Sequence, residues 1–263
     1  MLSRLTRSQA VAVCALPVVA LLATAVFAPL PFSVAQPGMT ADVLGKNRST
    51  QVITVSGAPA RETSGQLRMT TIEATGPDTR VSLAQVLGNW FRTDRAVMPR
   101  DAVYPSGNSV KQIEKYNAKQ MRQSQNAATQ AALKYLDLSP GKVKVRLKLA
   151  DVGGPSAGLL FTLGIIDTLD GDGRGGDLTG GRTIAGTGTI DAAGKVGAVG
   201  GVALKTQAAR RDGATVFLVP KAECADARSE LPKGLRLIPV TTLKGAVNSL
   251  VALEKGKGKV PSC

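Results

Sequence analysis

The sequence predicts an α/β domain behind an N-terminal hydrophobic segment, and three observations carry that expectation. Residues 109–136 contain neither Pro nor Gly, and their apolar positions, among them Ile113, Tyr116, Met121, Ala128, Ala131, Ala132 and Tyr135, suit one long helix closed by Pro140-Gly141. Immediately downstream the period changes. Val143, Val145, Leu147 and Leu149 alternate with Lys142, Lys144, Arg146 and Lys148, the pattern of a strand with one wet basic face and one buried face. A Gly-rich turn at 153–158 then opens an apolar helix, Leu159 to Leu169.

The chain has 263 residues, 43% hydrophobic and 20% charged, enough for one domain of moderate size with appendages and incompatible with whole-chain disorder. Residues 1–35 read as a signal peptide or a membrane anchor. Arg4 and Arg7 precede an uncharged run from Ala10 to Leu30 that reaches about 30 Å if helical, although Pro17 and Pro29 interrupt it. Ser33-Val34-Ala35 before Gln36 has the small-x-small pattern of a signal-peptidase site, so an uncleaved span through residues 10–30 and cleavage after Ala35 both stand. Either places residues 36–263 outside the cytoplasm, at the cell membrane or secreted. Residues 36–65, rich in Gly, Pro, Ser and Thr, read as a linker with one short strand at Gln51–Val55. Residues 66–253 form the domain, opening on a strand from Gln66 to Glu73 and a short helix within Val81–Phe91. Residues 254–263 are a basic tail ending in Cys263. A Cys224–Cys263 disulfide would staple that tail to the domain, with free or intermolecular thiols as the alternative.

Composition removes whole classes of chemistry. There is no His, so no Ser-His-Asp triad, Cys-His dyad or imidazole metal site exists in the chain. The net charge of +14 suits an anionic surface, a nucleic acid or mere solubility, but aromatic residues at 3% are too few for base-stacking platforms, and no nucleic-acid partner is expected. The loop Asp170-Gly171-Asp172-Gly173-Arg174-Gly175-Gly176-Asp177 imitates a calcium loop. It fails at Arg174 and at Gly181, so it reads as a mobile insertion, and no metal or cofactor is expected. The phosphate-loop look-alike at 176–183 carries Arg182 where a Lys is required, which argues against ATP.

The chemistry concentrates at Gly153-Gly154-Pro155-Ser156. A serine at a strand-to-helix turn can offer its hydroxyl while backbone N–H groups around Gly154 and Ser156 face a developing oxyanion; equally, Ser is a common helix N-cap. Without His, the base for an active serine must be a lysine drawn down by burial. Lys205 lies in such an apolar run, after Gly200-Gly201-Val202-Ala203-Leu204.

Taken together, Gly154-Pro155-Ser156-Ala157-Gly158 opening an apolar helix, Ala185-Gly186-Thr187-Gly188, Gly194-Lys195-Val196, Gly200-Gly201-x-x-x-Lys205 and Ala214–Pro220 (ATVFLVP) resemble the proteolytic domain of Lon. The similarity covers about residues 66–253, strongly over 143–221 and weakly before that, where Met121-x-x-Ser124 fits the segment ahead of the Lon active site. The resemblance implies a compact mixed sheet with flanking helices, a Ser156–Lys205 dyad supported by Thr187, a polypeptide substrate, and a homo-oligomeric, hexameric ring. Two acidic positions of the family pattern are replaced here, by Gly153 and Thr189. The ATPase of Lon is missing, and no PDZ domain, usual in membrane-anchored bacterial relatives, fits between the long helix and Ser156. The resulting expectation is an ATP-independent extracytoplasmic serine endopeptidase. Its rivals are a catalytically idle scaffold or binding module of the same fold and, more remotely, a basic surface protein that binds anionic polymer or lipid.

Overall fold

A computed structural model describes residues 6–104, 109–149 and 154–263. The elements in chain order are α1 (Arg7–Phe27), β1 (Phe32–Asp42), β2 (Lys46–Asn47), β3 (Thr50–Gln51), β4 (Ile53–Ser56), β5 (Gln66–Ala74), α2 (Leu83–Trp90), β6 (Ala96–Pro99), α3 (Arg100–Val103), α4 (Val110–Tyr135) and β7 (Lys144–Leu147). There follow α5 (Gly158–Leu169), β8 (Thr183–Gly186), β9 (Thr189–Ile190), β10 (Val196–Gly197), α6 (Val202–Arg211), β11 (Val216–Pro220), α7 (Cys224–Ser229), β12 (Arg236–Val240) and α8 (Leu243–Lys255).

The main sheet has six strands in the order β12-β11-β8-β5-β1-β6. Its first four are parallel, and β1 joins antiparallel to both β5 and β6, so the sheet is mixed and the fold is α/β with flanking helices. Strand β11 shows why the middle is so apolar in sequence. Val216 and Leu218 face the cluster that contains α5, while Phe217 and Val219 face the cluster under α6 and α7, so both faces of one strand are buried. Helix α5 is itself apolar all round, because it lies between α4 and the sheet with Leu159, Leu160, Phe161, Leu163, Ile165 and Ile166 wholly enclosed. The alternating basic run forms β7 as its period requires, pairing antiparallel with β4 and keeping Lys144 and Arg146 in water.

Two readings of the sequence are corrected. Residues 36–65 are not a linker. Phe32–Asp42 is an eleven-residue strand inside the main sheet, and the short strand placed at Gln51–Val55 is divided between β3 and β4. Pro37 and Gly38 break the apolar pattern because they occupy a register shift between Pro37 and Thr40, where a bulge tolerates the missing N–H of proline. The loop 170–177 is also tied down. Arg61 donates to the Asp167, Gly175 and Asp177 oxygens, Ser64 donates to Asp177, and Lys255 reaches Asp172 Oδ2 at 3.0 Å.

At the amino end, α1 has 21 residues, about 31 Å of helix, and its described side chains are exposed. Among the described residues it is the one helix long and apolar enough to cross a membrane. At the other end Cys224 and Cys263 form a disulfide, with Cα atoms 5.5 Å apart, that returns the basic tail to α7.

Candidate functional site

The loop after β8, the start of α5 and the first turn of α6 converge at the carboxyl end of β8, an inner strand of the sheet. Lys205 is the fourth residue of α6 and is 4% exposed. Its Nζ donates to Thr187 Oγ1 at 3.2 Å, and Thr187 Oγ1 in turn donates to the Ser156 backbone carbonyl at 3.4 Å. The same carbonyl accepts the Gly188 N–H at 2.9 Å. Thr187, itself fully buried, is therefore the joint between the lysine and the serine turn. Among the described residues Lys205 Nζ bonds to Thr187 Oγ1 and not to Ser156 Oγ, and it has no salt bridge.

Burial sets the chemistry of that amine. Desolvation lowers the Lys205 pKa from 10.5 to about 8, against the opposing pull of the Glu223 and Asp226 carboxylates. A lysine in this state is a usable base close to neutral pH.

The serine turn is held from three sides. Ser124 Oγ of α4 donates to the Pro155 carbonyl at 3.0 Å, which accounts for the Met121-x-x-Ser124 spacing. Gly158 lets α5 approach closely, since a Cβ there would lie 3.0 Å from Ser124 Oγ and 3.1 Å from the Ile190 nitrogen. Helix α5 takes Ala157 as its N-cap with no side-chain cap bond, so the Ser156 hydroxyl is not spent on capping. The Gly154 N–H, expected to face an oxyanion, instead points at the Asn117 carbonyl of α4 at 3.4 Å, because the turn leans on that helix. Pro155 is exposed and Gly153 lies outside the described residues.

The Gly200-Gly201 pair sets the entry of α6. Gly200 is exposed in the turn, and Gly201 is the N-cap in the left-handed region at φ +67°, where a Cβ would also meet Ile72 Cγ2 at 3.0 Å. No local side chain caps α6. Asp226 of α7 does so from a distance, accepting the Val202 and Ala203 N–H groups at 2.9 and 3.3 Å. Sequence reasoning missed this residue. Nothing local marks it, although it lies two positions beyond Cys224, whose disulfide anchors α7. A groove of about 540 Å³ lies on the α4 side, lined by Asn47, Arg48, Met121, Leu147, Lys148 and Leu149.

Residues 142–252 match the family described as the Lon protease (S16) C-terminal proteolytic domain. The Lon protease of Chloroflexus aggregans is 39% identical over 93 residues, 34% of this chain and 10% of that protein. Lon protease 1 of Myxococcus xanthus is 32% identical over 105 residues, 39% of this chain and 12% of that protein. The match thus spans about a tenth of the curated relatives' length. The matched segment begins just before β7 and ends within α8, enclosing the serine turn, Thr187 and Lys205, and over that segment the chain is similar to the Lon-type (S16) proteolytic domain.

Proposed function

We propose that this chain is an ATP-independent serine endopeptidase acting outside the cytoplasm through a Ser156–Lys205 dyad. The observation that carries the reading is a lysine 4% exposed, with its basicity lowered by burial, one threonine hydroxyl away from the backbone of the serine that opens α5. In the proposed reaction neutral Lys205 takes the Ser156 proton as Oγ attacks the peptide carbonyl. The lysine then protonates the leaving amine, and water, activated by the same amine, hydrolyses the acyl-enzyme. Thr187 orients Nζ. The Ser156 N–H would serve the oxyanion, since the Gly154 N–H is directed elsewhere. An extended polypeptide would lie in the groove beside Met121, Leu147 and Leu149. Assembly into a ring is part of the proposal on the strength of the family alone.

The amino-terminal helix is proposed to stay attached as an anchor. Ala35 is fully buried mid-strand in β1, opposite Ala74 on one side and Ala96 on the other. Cleavage after Ala35 would remove the Phe32–Ala35 segment, which supplies the whole pairing of β6 with the sheet. The Cys224–Cys263 disulfide supports an oxidising compartment.

The test is acylation of the full chain by a serine-directed inhibitor, located by mass spectrometry, beside casein cleavage. Adduct on Ser156 in the wild type, and neither adduct nor cleavage in Ser156→Ala or Lys205→Ala variants that remain folded, is the expected result. A folded wild type that neither labels nor cleaves would leave an idle scaffold of the same fold.

A further inference from the structure

Outside α1, the three most exposed large apolar side chains among the described residues are Phe91 at 83%, Trp90 at 64% and Leu87 at 51%. All three belong to α2 or its C-cap. With half-buried Leu83 they fall at i, i+4, i+7 and i+8, one continuous stripe, and Val86 at its margin is buried in a small cluster with Val34 and Val81. An apolar stripe left this exposed, with aromatic residues outward, is what a water-facing surface avoids and a bilayer interface favours.

Its position supplies the occupant. Helix α2 packs against α1, and the Leu30 N–H, three residues past the end of α1, bonds to the Val81 carbonyl at 2.8 Å, immediately before α2. The stripe therefore lies where the apolar helix leaves the bilayer. Between the two helices' ends is a cavity of about 380 Å³, bounded by Pro29, Leu30 and Pro31 on one side and by Asp78, Arg80 and Arg100 on the other. Arg80 is exposed. Arg100 donates to the Thr79 carbonyl at 3.0 Å, but its Nε is buried without a hydrogen-bond partner. Two guanidinium groups lining a cavity at the foot of a membrane-length helix, Arg80 exposed and Arg100 half-buried, suit phosphate oxygens of lipid headgroups.

We propose that α2 is a membrane foot: Leu87, Trp90 and Phe91 sit in the interfacial layer of the leaflet that α1 leaves, and Arg80 with Arg100 receives phospholipid phosphate. The proposal rests on α1 being embedded in the bilayer. It also gives the domain a fixed face toward the membrane, because the Thr93 carbonyl, just past the foot, accepts from Gln207 Nε2 on α6, two residues beyond Lys205.

Trp90 is the single tryptophan of the chain, so intrinsic fluorescence reads the foot directly. The full chain would be reconstituted in vesicles of phosphatidylcholine and phosphatidylglycerol. Flotation and resistance to alkaline extraction report α1, while quenching by bromine-labelled acyl chains and by aqueous iodide reports Trp90. The expected result is flotation with Trp90 emission lost to bromolipid and protected from iodide. Leu87→Ser with Phe91→Ser should reverse that pattern while flotation persists, and Arg80→Glu should weaken bromolipid quenching in phosphatidylglycerol vesicles. Floating protein whose Trp90 is quenched by iodide and not by bromolipid overturns the foot and leaves the anchor. Trp90 protected from both quenchers overturns it in favour of a covering second copy. A chain that does not float overturns the anchor and the foot with it.

Discussion

Replacing Lys205 with methionine should make the protein more stable at neutral pH while abolishing its proposed activity. Lys205 is 4% exposed and its pKa falls from 10.5 to about 8, so at pH 7 folding must bury an ammonium that water would solvate better. The unfolded chain binds that proton more tightly than the folded one, so stability rises with pH between about 8 and 10.5 and is lowest below 8. At 1.36 kcal/mol for each pH unit between those two values, the penalty is about 3 kcal/mol at pH 7, and about 2 kcal/mol of it is relieved by pH 9.5. Methionine fills a similar volume without a charge, so its advantage should be largest at pH 7 and shrink toward pH 9.5. Urea unfolding of both proteins in the same detergent, at several pH values across this range, measures the difference. Tyr104 and Tyr135, whose pKa values are raised by burial, titrate in both proteins and cancel. Parallel stability profiles, offset or not, would refute the claim that Lys205 is held away from water, and the base would have to be sought elsewhere.

Peptide hydrolysis should climb with pH through about 8 as Lys205 loses its proton, and Asp226→Asn should move that rise to lower pH by removing an attractive carboxylate while keeping the cap; Asp226→Ala should in addition cost about 1 kcal/mol of stability. An unmoved pH–rate profile for Asp226→Asn would sink this account of the amine's surroundings. Cys224→Ser opens a 39-residue separation and should destabilise the fold by about 2–4 kcal/mol, and because α7 carries the α6 cap, reductant should lower activity before it unfolds the sheet, as paired activity and circular dichroism assays would reveal. Asp167, fully enclosed on α5, accepts the Leu178 N–H at 2.8 Å with Oδ1 and leaves Oδ2 without a partner, and burial first of all raises its pKa to about 6. Its contribution is therefore fully present below about pH 4 and lost as pH climbs through 6, so Asp167→Asn should flatten the wild type's decline over that window, read by thermal unfolding.

The parts of the site legible in the sequence were those written in one short stretch. Ser156 and Lys205 each sit in a local glycine-apolar context that singles them out as candidates, whereas Thr187 came only with the resemblance to Lon. The long helix, β5, β7 and α5 were legible for the same reason, since each carries its own period. Strand β1 was not, because Pro37 and Gly38 interrupt its alternation and its partners β5 and β6 lie far along the chain. Asp226 was invisible for a related cause: a helix whose own N-cap is a glycine borrows a carboxylate 24 residues away, and only the folded chain brings them together. The loop at 170–177 misled through composition, because Arg61, more than a hundred residues earlier, fastens it.

Only Ala28, Pro29, Leu30 and Pro31 separate the end of α1 from the first strand of the sheet. Fully stretched, four residues reach about 14 Å, and two prolines stiffen them further. As a peptidase tethered in the way proposed, the domain could not patrol the surrounding fluid on so short a leash. Its diet would be confined to whatever comes within one domain's height of the lipid, and the juxtamembrane loops of neighbouring membrane proteins would meet it at an effective concentration that freely diffusing polypeptides could not match.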